Sequence, residues 1–388
     1  MKKFLAMALA LLMVAVMLPV TAMAADTALP AAVNGVITLK DDVTLADSAK
    51  INYGGGIQAT KLDLNGYSIS SNATWTLLVK GTLEIIDSSE AKTGKVVCNG
   101  EEGIAMWILG GADVTLTSGA FEGKGYGIVV GGTDAKFTMN GGAANGEVGS
   151  GISGNGNETN GTPDFAPTTI TINGGEITGK DAGIYHPQIG KLNINGGSIS
   201  GGSGIEMRAG TLNVTGGTIT ATASPVVVTP NGGGPTTVGA AIAVSQHTTK
   251  HEITVNVNGG ELTGAAAIYE SNPQNNPEDV TAQIGVTVTG GSLTGTIHKE
   301  SAATVKISGG TFTDTDSIKN YLADGKVIRN GKVVDNTIVI IVPDNDNTTT
   351  TTTEKPANPA TGANDFVGVA AALAVVSLLG MAVASRKK

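Results

Sequence analysis

The chain has 388 residues with a formal charge of −9, and only 15% are charged and 4% aromatic, while 56 are glycine. Glycine at about twice its usual ~7% share, with few aromatics and few charges, argues against helix bundles and long coiled coils. The net acidity argues against binding to a nucleic-acid phosphate backbone. The glycines recur between short Val/Ile/Thr runs, which points to a turn-rich, all-β chain and away from disorder.

The first residues, MKKFLAMALALLMVAVMLPVTAMAA, read as an export signal over 1–24. Lys2 and Lys3 form a basic start and Phe4 to Val20 an apolar core. Ala22-Met23-Ala24 supplies the small residues of a cleavage site at Ala22 and Ala24. Export with a single cysteine, Cys98, allows no disulfide within the chain. Cys98 lies in the alternating run Lys95-Val96-Val97-Cys98 and reads as a small buried hydrophobe.

From residue 25 to 316 one phrase recurs: a short alternating strand, an Asn-Gly-Gly or Thr-Gly-Gly turn, then x-Ile-Ser/Thr. It is clearest in Thr169 to Thr220, with double glycines at 174–175, 196–197 and 216–217, so the spacings are 22 and 20 residues. A period near twenty with strand residues predicts stacked coils, each burying its apolar face against its neighbours. The leucine-rich repeat has a comparable period, but its L-x-x-L-x-L-x-x-N pattern is missing. About a dozen coils are expected, a stack roughly 50–60 Å long at the strand spacing. Ile172, Ile194 and Val214 should form one internal ladder, and Ile177, Ile199 and Ile219 another. The phrase Leu62-Asp63-Leu64-Asn65-Gly66-Tyr67-Ser68-Ile69 resembles the opening coil of pectate-lyase-like β-helix surface proteins. That resemblance implies a right-handed parallel β-helix.

The third strand of each coil begins Gly-Ile or Ala-Ile at Ile104, Ile128, Ile152, Ile184, Ile205, Ile242 and Ile268. If the isoleucine points inward, period two sends Ala105, Val129, Ser153, Tyr185, Glu206, Ala243 and Tyr269 outward. A second outward column then holds Trp107, Asn155, Arg208 and Ser245. Insertions at 157–168, 224–238 and 272–281 flank this strand and should edge a groove. The candidate ligand face is therefore Trp107, Tyr185, Glu206, Arg208 and Tyr269, with the aromatic rings available to stack on sugars. A polysaccharide lyase or glycoside hydrolase is the alternative on this fold, and needs more carboxylates than Glu206 alone supplies. Glu206 and Arg208 read as a surface ion pair, and His186 by parity as inward. No spacing of histidines and acids suits a metal; calcium near Asp314 and Asp316, or Asp344 and Asp346, is a weak option.

Residues 317–343 resemble the terminal cap of such surface proteins, with Thr337 to Val342 closing it, and 344–357 reads as a Thr/Pro linker. Residues 358–388 place Asn358-Pro359-Ala360-Thr361-Gly362 before an apolar span at 366–384 and the basic tail Arg386-Lys387-Lys388. The span is long enough to cross a bilayer as a helix in the precursor. This order resembles the sortase cell-wall sorting signal, with Asn358 where the family usually has leucine. The resemblance implies cleavage between Thr361 and Gly362 and covalent transfer of Thr361 to peptidoglycan. Loss of the leader and of the tail would each remove two net positive charges, leaving −13 (−9 − 2 − 2). The expected protein is a non-catalytic, adhesin-like binder of glycan or a host surface, held on the cell wall, with a passive surface scaffold as a further alternative.

Overall fold

The computed structural model describes residues 29–46, 49–55, 57–155, 167–343 and 349–354, with 338–343 and 349–354 as backbone only. The leader at 1–24, the apolar span at 366–384 and the sorting motif at 358–362 lie outside the described residues. Among the described residues no helix is long and apolar enough to cross a membrane. The described residues up to Val334 form one compact unit and those from Asp335 another.

The first unit is a parallel β-helix. One face is an 11-stranded parallel sheet that takes one strand from each coil, from Val36–Thr38 to Thr304–Ile307. The other two strands of each coil stack in the same order in a second sheet, again parallel from coil to coil. Eleven strands at ~4.8 Å per step make a stack of about 48 Å, close to the expected length.

The core follows directly from the alternating residues. Ile69, Val96, Phe121, Ala144, Ile177, Ile199, Ile219, Leu262, Leu293 and Phe312 form one unbroken inward column through the second strands. All are buried. Ile172, Ile194 and Val214 stack as expected in the first sheet. Phe121 sits beside Ala144, so a large ring in one coil is matched by a methyl in the next. This size matching keeps the interior close-packed.

The double glycines have two different reasons. Gly175, Gly197 and Gly217 have φ of 94°, 83° and 81°, a left-handed turn that side chains with a Cβ resist. The preceding glycines lie against the coil below: a Cβ at Gly196 would collide with the carbonyl of Asn173. Outside the core, amide ladders tie the coils together. Asn173 donates to Asn140 and Asn195 donates to Asn173, each at 2.9 Å, and Thr215 donates to Asn195 at 2.9 Å. Such ladders satisfy side-chain groups with copies of themselves in neighbouring coils.

Cys98 is buried, and its thiol donates to the Ala73 carbonyl at 3.1 Å. In the opening coils Asp87 performs a role the periodicity did not reveal. Its Oδ1 accepts from the N–H groups of Gly66 (2.8 Å) and Ser89 (3.0 Å), and its Oδ2 from that of Gly94 (2.5 Å). Burial pushes the Asp87 carboxyl up, but hydrogen bonds from Ser89, Gly94 and Gly66 outweigh it and hold it below the usual carboxylate range.

At the far end, Lys332–Asp335 pairs antiparallel with Thr311–Phe312 and blunts the last coil. Ile338–Pro343, which the sequence suggested would close this cap, belongs to the second unit. It pairs antiparallel with Thr349–Glu354, so the threonine run expected within a linker forms a strand. Threonine is a good strand residue, and the paired run Ile338–Val342 is β-branched throughout.

Candidate functional site

The register along the third strands aligns Leu78, Trp107, Val129, Ser153, Tyr185, Glu206, Ala243, Tyr269 and His298 in one outward column. This corrects the expected alignment at one coil. Met106, not Ile104, takes the inward place beside Ile128, so Trp107 replaces Ala105 in the first outward column. Ten residues separate the core positions Val96 and Met106, against seven between Phe121 and Ile128. The longer corner displaces the Gly-Ile pair. Ile104 instead packs outside the core with Trp75 and Trp107.

The column divides into three stretches with different surroundings. In the first, Trp75 and Trp107 meet edge to face, centroids 5.2 Å apart, and Lys50 Nζ lies 3.5 Å from the centre of the Trp75 ring. Burial pushes the Lys50 amine down from its ordinary value. Trp107 is 4% exposed. It is packing, not an open platform.

The middle stretch overturns the reading of Glu206 and Arg208 as a surface pair. Both are 0% exposed, beneath the insertion at 224–238. Glu206 accepts the Thr236 N–H at 2.9 Å, the Thr236 hydroxyl at 2.7 Å and the Thr237 N–H at 3.2 Å. Arg208 donates through Nη1 to the carbonyls of Gly234 (2.6 Å) and Asn231 (2.8 Å), and through Nε to that of Ser245 (3.1 Å). The two side chains approach only to 4.0 Å. They are bound chiefly to the backbone of the loop: one anchors its N–H groups, the other its carbonyls. Tyr185 is 6% exposed and lies 3.5 Å from Arg208 Nη1. Burial pushes the Tyr185 phenol up to about 12, and it pushes the Glu206 carboxyl up as well, against the pull of Arg208 and the Thr236 and Thr237 donors. The groove expected along this face is filled here by the chain's own loop. His186 is buried as parity required, and burial lowers it to about 4, so it is neutral at ordinary pH.

In the last stretch Tyr269 is half-buried against Ala243 and Ala266, and the exposed His298 stacks on it at 4.4 Å. Of the five residues assigned to the ligand face, Tyr269 alone retains an accessible ring. Among the described residues no group of three or more His, Cys, Asp or Glu is arranged to hold a metal. Asp314 accepts from the N–H groups of Asp316 and Ser317, and Asp316 pairs with Lys319 at 2.6 Å. The Asp344/Asp346 option lies outside the described residues, as do 157–166 of the first insertion.

A concave site that sequence reasoning did not single out lies where the third strands turn back to the first sheet. It is a notch of about 470 Å³ lined by Pro167, Ile189, Gly190, Lys191, Gly210, Thr211, Lys250, His251, Glu252 and Gln283. The available signal was the unequal length of successive turns. The turn after His186 is short and ends at Gly190, the next ends at Gly210, and the third runs from Gln246 to Glu252.

Comparison with family models, curated proteins and solved structures yields no match for the chain.

Proposed function

We propose that the chain is exported, joined by a sortase through Thr361 to peptidoglycan, and displays its β-helix as a non-catalytic, adhesin-like module for glycan or a host surface. The observation that carries this reading is the order of Asn358-Pro359-Ala360-Thr361-Gly362, the 19-residue apolar span at 366–384 and the basic tail. A stacked-coil rod suits display, because it presents long repetitive flanks and needs no disulfide. The non-catalytic part of the reading is supported at Glu206. The one acid that the lyase or hydrolase alternative had at its disposal on the third-strand face is buried and engaged by Thr236 and Thr237.

Cell fractionation tests the anchoring. Murein hydrolase should release the protein from walls that have been boiled in detergent. A Thr361→Ala chain should move to the membrane or the medium. Wild-type protein extracted from intact walls by detergent alone would refute covalent attachment.

A further inference from the structure

We propose that the loop 224–238 is a displaceable strap lying in a groove that recognises peptide backbone, so that the chain itself occupies the place of a glycine- and proline-rich peptide segment of a partner protein. This deepens the surface-binding reading above and rests on it for the existence of a partner, but not on wall attachment.

The first argument is what the groove grips. Glu206 accepts the N–H groups of Thr236 and Thr237, and Arg208 donates to the carbonyls of Asn231 and Gly234. Gln274 donates to the same Asn231 carbonyl at 2.9 Å, and the Ser203 hydroxyl donates to the Thr237 carbonyl at 2.8 Å. The strap is therefore held mainly through its backbone. Between the two gripped ends lie Gly232-Gly233-Gly234-Pro235, which offer no polar side chain to read. The bend is closed by its own residue, Asn231, whose Nδ2 donates to the Pro235 carbonyl at 3.2 Å. Affinity through main-chain hydrogen bonds is how peptide grooves bind a segment of another chain.

The second argument is what the strap leaves behind. No residue from Ser224 to Pro235 is buried, and among them Val226 alone packs on the apolar cluster of Ala240, Ala243 and Ala266. Lifting the strap therefore exposes little apolar surface. It also returns Glu206 and Arg208 to water, which solvates both charges. Apolar side chains in their place would hold a permanent loop at least as firmly. Arg208 Nη2, buried and without a partner among the described residues, is a donor that the strap leaves unused.

The third argument is attachment. The ends of the strap are held side by side. The Thr222 N–H donates to the Gly201 carbonyl at 2.7 Å, and the Gly239 N–H to the carbonyl of the next residue, Gly202, at 2.8 Å. The strands on either side pair without it: Ser198–Gly201 with Thr218–Ala221, and Ser203–Met207 with Ala240–Ser245. The strap can thus leave the groove while its ends and the strands they join keep their bonds. Segments with few buried apolar contacts open at a free energy below that of the whole fold.

The test uses the full chain in mild detergent and a labelled synthetic peptide of residues 229–237. In wild type, hydrogen exchange should be at least tenfold faster at the Thr236 and Thr237 N–H groups than at those of Arg208, Thr222 and Gly239. Excess peptide should speed the first two further, by filling the groove of chains whose strap has lifted. Strap and rod amides exchanging at one rate, or strap exchange indifferent to the peptide, would overturn the proposal. A second chain has residues 224–237 replaced by two glycines, which the adjacent ends allow. By fluorescence anisotropy it should bind the peptide at least tenfold more tightly than wild type does, and Arg208→Met within it should weaken binding at least tenfold. A natively folded shortened chain that binds no more tightly than wild type, or that binds regardless of Arg208, would equally overturn the proposal. Wall attachment of the shortened chain should be normal, which separates failure of this groove from failure of the anchoring.

Discussion

Two neighbouring regions of the rod carry basic side chains, and they use them in opposite ways. Arg208 is 0% exposed, hydrogen-bonded to the carbonyls of three other residues, with Glu206 at 4.0 Å. Lys191 and Lys250, in the notch formed by the adjoining turns, are exposed and, among the described residues, form no ion pair. The guanidinium is spent on holding a loop, which its planar fork of donors suits. The ammonium groups remain available. A charged residue on the outer face of a β-helix is thus a weak sign of ligand contact until the loops above it are placed. Burial and partners decide which reading holds.

The sharpest way to break this contrast is to remove one member of the buried set. Glu206→Ala leaves Arg208 buried without its counter-charge and frees the Thr236 and Thr237 N–H groups. It should cost about 3–5 kcal/mol in chemical denaturation, with new protease cleavage in 224–238. Glu206→Gln also removes the counter-charge but keeps an acceptor for Thr236, and should lose clearly less. Equal losses for the two variants would contradict the loop-anchoring role. Next in size, Ile199→Ala in the second-strand column should cost about 2–5 kcal/mol by leaving a cavity between Ile177 and Ile219.

A smaller effect concerns acid. The folded pKa of Asp87 is depressed, so its contribution is fully present above its unfolded value near ~3.9 and is lost as pH falls through the folded value. Below about pH 4 wild type should lose stability more steeply than Asp87→Asn. Parallel pH curves for the two chains would remove Asp87 from that role. Smallest of all, Lys191→Ala with Lys250→Ala should change stability by no more than about 0.5 kcal/mol. A larger loss would mean that the notch lysines are structural after all, and the contrast with Arg208 would fall.

Much of the rod was legible in the sequence. Period-two alternation assigned Ile177, Ile199 and Ile219 to the interior, and the double glycines located the turns, because these depend on local chemistry repeated coil after coil. The outward column was legible in parity but not in exposure. Nothing in Glu206-Met207-Arg208 reveals that residues 231–237, some thirty positions away, fold over it and present N–H and carbonyl groups. The shift at Trp107 has a similar cause: a longer corner displaced a Gly-Ile pair that looked in phase. The notch escaped because it depends on the relative lengths of three turns and not on any motif. Threonines 349–354 were read by composition as linker, although their β-propensity allowed the strand they form.

Both regions matter to a partner only if the rod is displayed, so the most direct measurement is the chemical identity of the chain's C-terminus on the cell. Mass spectrometry of the protein released from purified walls by murein hydrolase should find a terminal peptide ending at Thr361 and carrying the mass of a peptidoglycan stem fragment. A wall-derived or membrane-derived chain that still continues through Gly362 to Lys388 would contradict the account.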